Sequence, residues 1–452
     1  MYPAAVLLPD HAPFTLRARV LSPLADGSTL WEPNGVVDVG PDGQIRWVGS
    51  AADFAARPAR ASESAGAPVD VRPLILMPGL VDCHVHLPQI PSAGLGAGMH
   101  LLDWLERHVF SLERAFDRAA AERLAPLAYR AMAAAGTTAF AGYSAIWADS
   151  TEACFRAAEE HGIRATLGLV MMDRLTYDDV TPPQRILATS LQQAADLAER
   201  WHGADEGRLR YAFTPRFAVS CSADMLRESA ALAAHLGATW QTHLSEDDAE
   251  IARVAELFPE ALDYLDVYDR AGGLGPGALL AHAIHLSGRE AARLAESGAA
   301  VAHCPVSNMF LSSGVMPLAH YRGAGIRVGL GSDVAGAPEL SILTQMREGF
   351  YQHSSRAATA PGRPGPPGPL EWLRLGTLDG ARALGLGDVI GSLEVGKEAD
   401  LIAVDASLTE PPGASPADDV EAVVGRLIFR ERPGMVRGAW VRGRRLALAQ
   451  HG

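Results

Sequence analysis

Eight short apolar runs alternate with amphipathic stretches through the middle of this chain, and that alternation restricts its fold more than any other feature. The runs are Leu76–Leu87, Thr137–Tyr143, Ala165–Met171, Leu209–Phe217, Ala238–Leu244, Ala278–Ile284, Ala299–Cys304 and Ile326–Asp333. The segments between them are rich in Ala, Leu, Glu and Arg. Asp224–Leu236 and Asp247–Phe258 carry apolar residues at three- and four-residue spacing and are predicted helices. A strand covered on both faces needs near-continuous apolarity, and strands that alternate with helices pair in parallel. Eight such units over about 260 residues are the size of a (β/α)8 barrel. A doubly wound open sheet is the alternative arrangement.

The flanks read differently. Phe14–Leu21, Gly35–Val39 and Ile45–Val48 on one side, and Asp400–Asp405, Val423–Phe429 and Gly434–Val441 on the other, are predicted strands, with Asp42-Gly43 as a hairpin turn. The predicted fold class is therefore α/β, a (β/α)8 TIM barrel with a small β-sandwich domain formed from both termini. The barrel is expected over residues 76–384, and the sandwich from residues 1–75 plus 385–452. Gly362–Pro369 is a Pro- and Gly-rich surface connection, and the 45 glycines and 30 prolines suit many turns between short elements.

Charge narrows the partners. The chain of 452 residues has 53 acidic and 39 basic side chains, a net charge of −14, which disfavours polyanions such as nucleic acid or anionic lipid. No apolar run reaches the length of a membrane span, and Met1–Ala5 lacks the basic start of a signal peptide. Cys83, Cys154, Cys221 and Cys304 form no C-x-x-C pair and are predicted free thiols. These features predict a cytoplasmic protein with no nucleic-acid or membrane partner.

Polar residues fall where the barrel reading makes them informative. His84 and His86 end the first run, two residues apart and hence on one side of a strand. His243 ends the fifth run, His282 lies in the sixth, and Asp333 ends the eighth. The C-terminal strand ends are where such a barrel builds its active site. Four imidazoles and a carboxylate meeting there suit one divalent metal ion, Zn²⁺ or Fe²⁺. Glu246, three residues past His243, is placed to carry a proton between an activated water and a leaving group.

These residues also carry a resemblance. Leu76-Met77-Pro78-Gly79-Leu80-Val81-Asp82 before His84, His243-Leu244-Ser245-Glu246, Leu280–Leu286, Cys304-Pro305-Val306-Ser307-Asn308, Gly329–Asp333 and Gly391–Leu401 resemble the amidohydrolase superfamily over nearly the whole chain. His86-Leu87-Pro88-Gln89, Leu101–Leu105, Met172-Asp173-Arg174, Thr214-Pro215-Arg216-Phe217 and Phe258–Tyr264 are most similar to its guanine deaminases. The resemblance implies one ion, usually zinc, held by His84, His86, His243 and Asp333, with His282 at the ion or its water. It also implies that Gln89 and Arg216 grip a purine, aided by Phe217, and that the protein is a homodimer. The expected reaction is hydrolytic deamination of guanine to xanthine and ammonia. Glu246, Asp333 and His282 are the expected catalytic residues. The alternative is another aminoheterocycle, such as a pterin, 8-oxoguanine or a triazine. Residues 90–100 and 334–339, which border the pocket, depart from the guanine deaminase pattern.

Overall fold

Two sheets organise the chain. The computed structural model describes residues 8–57, 67–359, 365–414 and 419–449. Met1–Ala5 and Gly362–Pro364 of the predicted connection lie outside them. Four strands come first: β1 (Phe14–Pro23), β2 (Thr29–Val39), β3 (Ile45–Ser50) and β4 (Val69–Pro78). The barrel strands are β5 (Leu80–His86), β6 (Thr137–Tyr143), β7 (Arg164–Gly168), β8 (Val170–Met171), β9 (Leu209–Pro215), β10 (Thr239–Leu244), β11 (Ala278–His282), β12 (Ala300–His303) and β13 (Arg327–Leu330). The last three are β14 (Leu401–Val404), β15 (Val436–Val441) and β16 (Arg444–Arg445).

Strands β5, β6, β7 and β9 to β13 run parallel in that order, with β8 extending the contact to β9. This is the eight-stranded barrel, not the open sheet. The ring closes between its first strand and the segment after its last. Asp333 N–H donates to the His84 carbonyl at 2.7 Å, and His86 N–H donates to the Val334 carbonyl at 3.2 Å. Asp82 Oδ1 accepts from the Ser332 N–H at 2.9 Å and its Oδ2 from the Ser332 hydroxyl at 2.5 Å.

The other sheet has the order β16-β15-β14-β4-β1-β2-β3 and draws on both ends of the chain. Alternate residues Leu16, Ala18 and Val20 share one core with Leu401, Ala403 and Trp440, the inward face of the predicted sandwich. Arg164, buried at the start of β7, joins the two sheets: its Nε donates to Asp400 Oδ2 at 2.8 Å and its Nη2 to Glu398.

Two sequence expectations need correction. The run Leu76–Leu87 is not one strand. It divides at Gly79, with Leu76–Pro78 in the terminal sheet and Leu80–His86 in the barrel. Gly79 crosses where a Cβ would lie 1.9 Å from Thr138 Oγ1, so only glycine passes there. Val423–Phe429 is helical, within Val420–Phe429. Its buried residues Val423, Val424, Leu427 and Ile428 recur at helical spacing, and Asp419 caps the first turn by accepting from Ala422 N–H. The four cysteines are free and buried, as expected.

His353, on the helix Ile342–Thr359, packs edge-on against His303 at 5.7 Å between ring centroids, and its Nε2 is buried without a hydrogen-bond partner among the described residues. Burial, then the Arg356 charge, lowers its pKa from 6.5 to about 4. The unfolded chain therefore takes up this proton first as pH falls. Stability present above pH 6.5 is lost as pH falls toward 4, by roughly 2–3 kcal/mol from this group. Denaturant titrations at pH 7 and pH 4.5 should show a smaller acid loss, by that amount, in His353→Gln than in the unmodified protein.

Candidate active site

The C-terminal ends of the barrel strands bring the predicted residues together. His84 and His86 project from β5 with Nε2 atoms 3.2 Å apart, and His243 Nε2, from β10, lies 3.2 Å from His86 Nε2. Asp333 Oδ1 lies 3.2 Å from His84 Nε2 and 3.4 Å from His86 Nε2. His282 Nε2 is 3.3 Å from Glu246 Oε2 and 3.7 Å from Asp333 Oδ2. All are buried.

Local backbone explains the convergence. Ser245, His282, Ala283 and Asp333 all have positive φ, between 46° and 70°, a left-handed conformation that non-glycine residues adopt at a cost. Four such residues at neighbouring strand ends mark stored strain of the kind found at functional sites. Each turns the chain sharply just after its strand.

Hydrogen bonds set which nitrogen faces inward. His243 Nδ1–H donates to the Arg216 carbonyl at 2.6 Å, and His282 Nδ1–H donates to Asn308 Oδ1 at 3.0 Å. Both Nε2 lone pairs are thereby left for the centre. Burial first, and then neighbouring imidazoles, hold His86 and His243 well below the usual histidine value, and burial also lowers His84. They are neutral, as metal ligands must be. Asp333 is lowered to about 2, since His84 and His282 outweigh its burial. Burial, followed by the charges of Asp333, Glu250 and Asp247, pushes Glu246 well above the usual carboxyl value.

This donor set fits a metal. An ion with bonds of 2.0–2.1 Å brings neighbouring ligand atoms to roughly 3 Å of one another, and the His84–His86, His86–His243, His84–Asp333 and His86–Asp333 pairs lie 3.2–3.4 Å apart. His282 Nε2 is buried with no hydrogen-bond partner among the described residues. His84, His86 and Asp333, like His84, His243 and His282, form compact groups able to hold an ion.

Beside the centre lies a narrow cavity that, counted with its mouth open to solvent, encloses about 350 Å³. Leu101, Trp104, Leu105, Phe217 and Leu311 form its apolar walls, while Gln89 and Arg216 stand with the metal-facing residues as its polar edge. The segment that leads into Leu101 is held down where Gly98 N–H donates to the Phe310 carbonyl at 2.7 Å and His100 Nδ1 meets Asp247 Oδ2 at 3.2 Å.

The sequence pattern of the amidohydrolase family spans residues 75–446. This chain belongs to that family. The amidohydrolase is 37% identical over 372 residues to the probable guanine deaminase of Deinococcus radiodurans, covering 82% of each chain. It is 35% identical over 347 residues to the guanine deaminase of Escherichia coli (strain K12), covering 75% of each. Its fold matches the guanine deaminase of C. acetobutylicum, solved with guanine bound in the active site, at a TM-score of 0.87 and 26% identity. That match covers 96% of this chain and 99% of the other. The family is metal-dependent, and this chain carries buried His and Asp groups able to hold an ion.

Sequence reasoning missed one residue of the amidohydrolase's pocket, Glu113. It is fully buried, accepts from Gln89 Nε2 at 2.9 Å and pairs with Arg216 Nη1. Its signal was present: Leu101, Trp104, Leu105 and Val109 form an apolar stripe, and Glu113 continues it four residues on as the one charge. A π-helical turn, Leu105–Val109, leads into the short helix that carries it.

Gly331 explains the glycines before Asp333. A Cβ there would lie 2.7 Å from His84 Cβ and 2.9 Å from Cys304 Sγ. Gly331→Ala should push His84 off its position and lower both metal content and turnover, by about tenfold or more for turnover. Metal analysis beside steady-state kinetics checks this.

Proposed function

We propose that this protein is a hydrolase of C–N bonds in cyclic amidines that deaminates guanine to xanthine and ammonia. The observation that carries the reading is a single small cavity bordered both by a metal-fitting cluster with Glu246 and by the Gln89–Arg216 pair. The two guanine deaminase relatives and the guanine-bound structural match support it.

His84, His86, His243 and Asp333 would hold one ion, and their N and O donors support zinc. When bound, such an ion supplies the Lewis acidity that makes water a competent nucleophile near neutral pH. Asp333, ionised, accepts a proton from the attacking water. His282, its Nε2 facing the centre, stabilises charge on the incoming oxygen as the ring carbon becomes tetrahedral. Glu246, kept protonated by burial, donates to the ring nitrogen. Glu246, then ionised, takes the remaining proton of the added hydroxyl as the carbonyl forms and delivers it to the departing amine, so that ammonia rather than amide anion leaves, and the proton held by Asp333 then restores Glu246. Arg216 donates to the ring carbonyl, Gln89 binds the adjacent edge, and Phe217 packs on the purine face. A homodimer in the cytoplasm completes this reading. Among the described residues no helix is long and apolar enough to cross a membrane.

The test is ammonia release from guanine, 8-oxoguanine, adenine, cytosine, a pterin and a triazine. Guanine should have the highest kcat/KM. A higher value for any other compound assigns the site to that heterocycle instead.

A further inference from the structure

Glu113 takes no part in the proton transfers above, yet it holds both polar groups assigned to the purine. Its Oε1 accepts from Gln89 Nε2 at 2.9 Å, and its Oε2 accepts from Arg216 Nη1. The Phe110 ring lies 5.4 Å beneath the Arg216 guanidinium carbon, and all three polar side chains are at most 3% exposed. Burial opposes the Arg216 charge, but the Glu113 carboxylate outweighs it and holds the guanidinium above its ordinary value.

A carboxylate can only accept hydrogen bonds, whereas a primary amide has one accepting and one donating edge. The edge of Gln89 that meets Glu113 must therefore be its NH2. Its oxygen is turned the other way, where it accepts from the Ala335 N–H at 3.4 Å and keeps a second lone pair. Gln89 is thus fixed as an acceptor, while Arg216, which has no acceptor, stands beside it as a donor.

We infer that Glu113 is a positioning and specificity-determining residue. By fixing an acceptor at Gln89 beside a donor at Arg216, it sets the cavity to read a ring N–H next to a carbonyl. A ring nitrogen next to an amino group, the inverted edge, meets acceptor with acceptor and donor with donor. This inference rests on the proposed deamination of guanine.

The experiment compares kcat/KM for guanine and for 2,6-diaminopurine. Both carry the same 2-amino leaving group, but the second presents the inverted edge. The unmodified enzyme should prefer guanine by at least about 100-fold, because a mismatched buried edge leaves polar groups unpaired. Glu113→Gln frees Gln89 to turn over and should narrow that preference about tenfold or more. Glu113→Asp keeps an acceptor-only group and should hold the preference within about threefold even where kcat/KM falls. A purely structural role would lower both substrates together and leave their ratio unchanged. An unchanged ratio in folded Glu113→Gln overturns the assignment. So does equal use of both substrates by the unmodified enzyme, a measurement that stands even where the variant fails to fold. No guanine turnover by the unmodified enzyme overturns the functional reading itself, and this inference with it.

Discussion

Glu246→Gln is expected to lower kcat for guanine by about 10²–10⁴ while leaving one metal ion per chain bound, the scale of a lost general acid–base. The substitution preserves size, and Glu246 lies outside the three imidazoles and Asp333 proposed to hold the ion. Its backbone N–H is fixed independently, donating to Glu250 Oε2 at 2.8 Å, and Glu250 is itself held by the Tyr264 hydroxyl at 2.6 Å. The segment therefore stays in place when the side chain can no longer give or take a proton. What goes is the shuttle that lets the amine depart as ammonia. Steady-state kinetics with metal analysis on the same sample is the measurement, and full activity in the variant would remove Glu246 from the mechanism.

Removing the ion should have a larger effect still. Protein stripped by a chelator is expected to fall to background ammonia release and to recover when one equivalent of Zn²⁺ or Fe²⁺ is restored. Asp333→Asn should lose on the order of 10³-fold or more and not recover with added ion, because it removes an anionic ligand and a proton acceptor at once. The contrast between the two samples separates loss of the ion from loss of the carboxylate. Stripped protein that keeps full turnover would rule out the metal-dependent reading.

The parts of the site legible in the sequence were those with a simple period. His84 and His86 share a face because strand residues alternate, and His243 and Asp333 were placed by ending their runs at the same end of the barrel. Gln89, Arg216 and Phe217 were reached only through family resemblance, since they lie just beyond strand ends, where no period applies. Glu113 was hidden because, although it continues the apolar stripe in register, a lone carboxylate there declares no partner. The partners are 24 and 103 residues away. The fold misreadings have the same origin. An apolar run says that a segment is buried, but at Leu76–Leu87 it could not say in which sheet. At Val423–Phe429, β-branched residues resembled a strand until tertiary packing selected the helix.

The barrel's closing bonds carry one more consequence. His84 and Asp333 are joined backbone to backbone across the seam of the ring, and Asp82 and Ser332 fasten the same seam from either side. A closed ring of strands has no free edge, and these bonds are what join its first strand to the segment after its last. On the proposed ligand set, that join and the ion's cradle would be the same few residues. An ion bound to both His84 and Asp333 would then act as a clasp across the seam, so that its release and the parting of the ring would be linked.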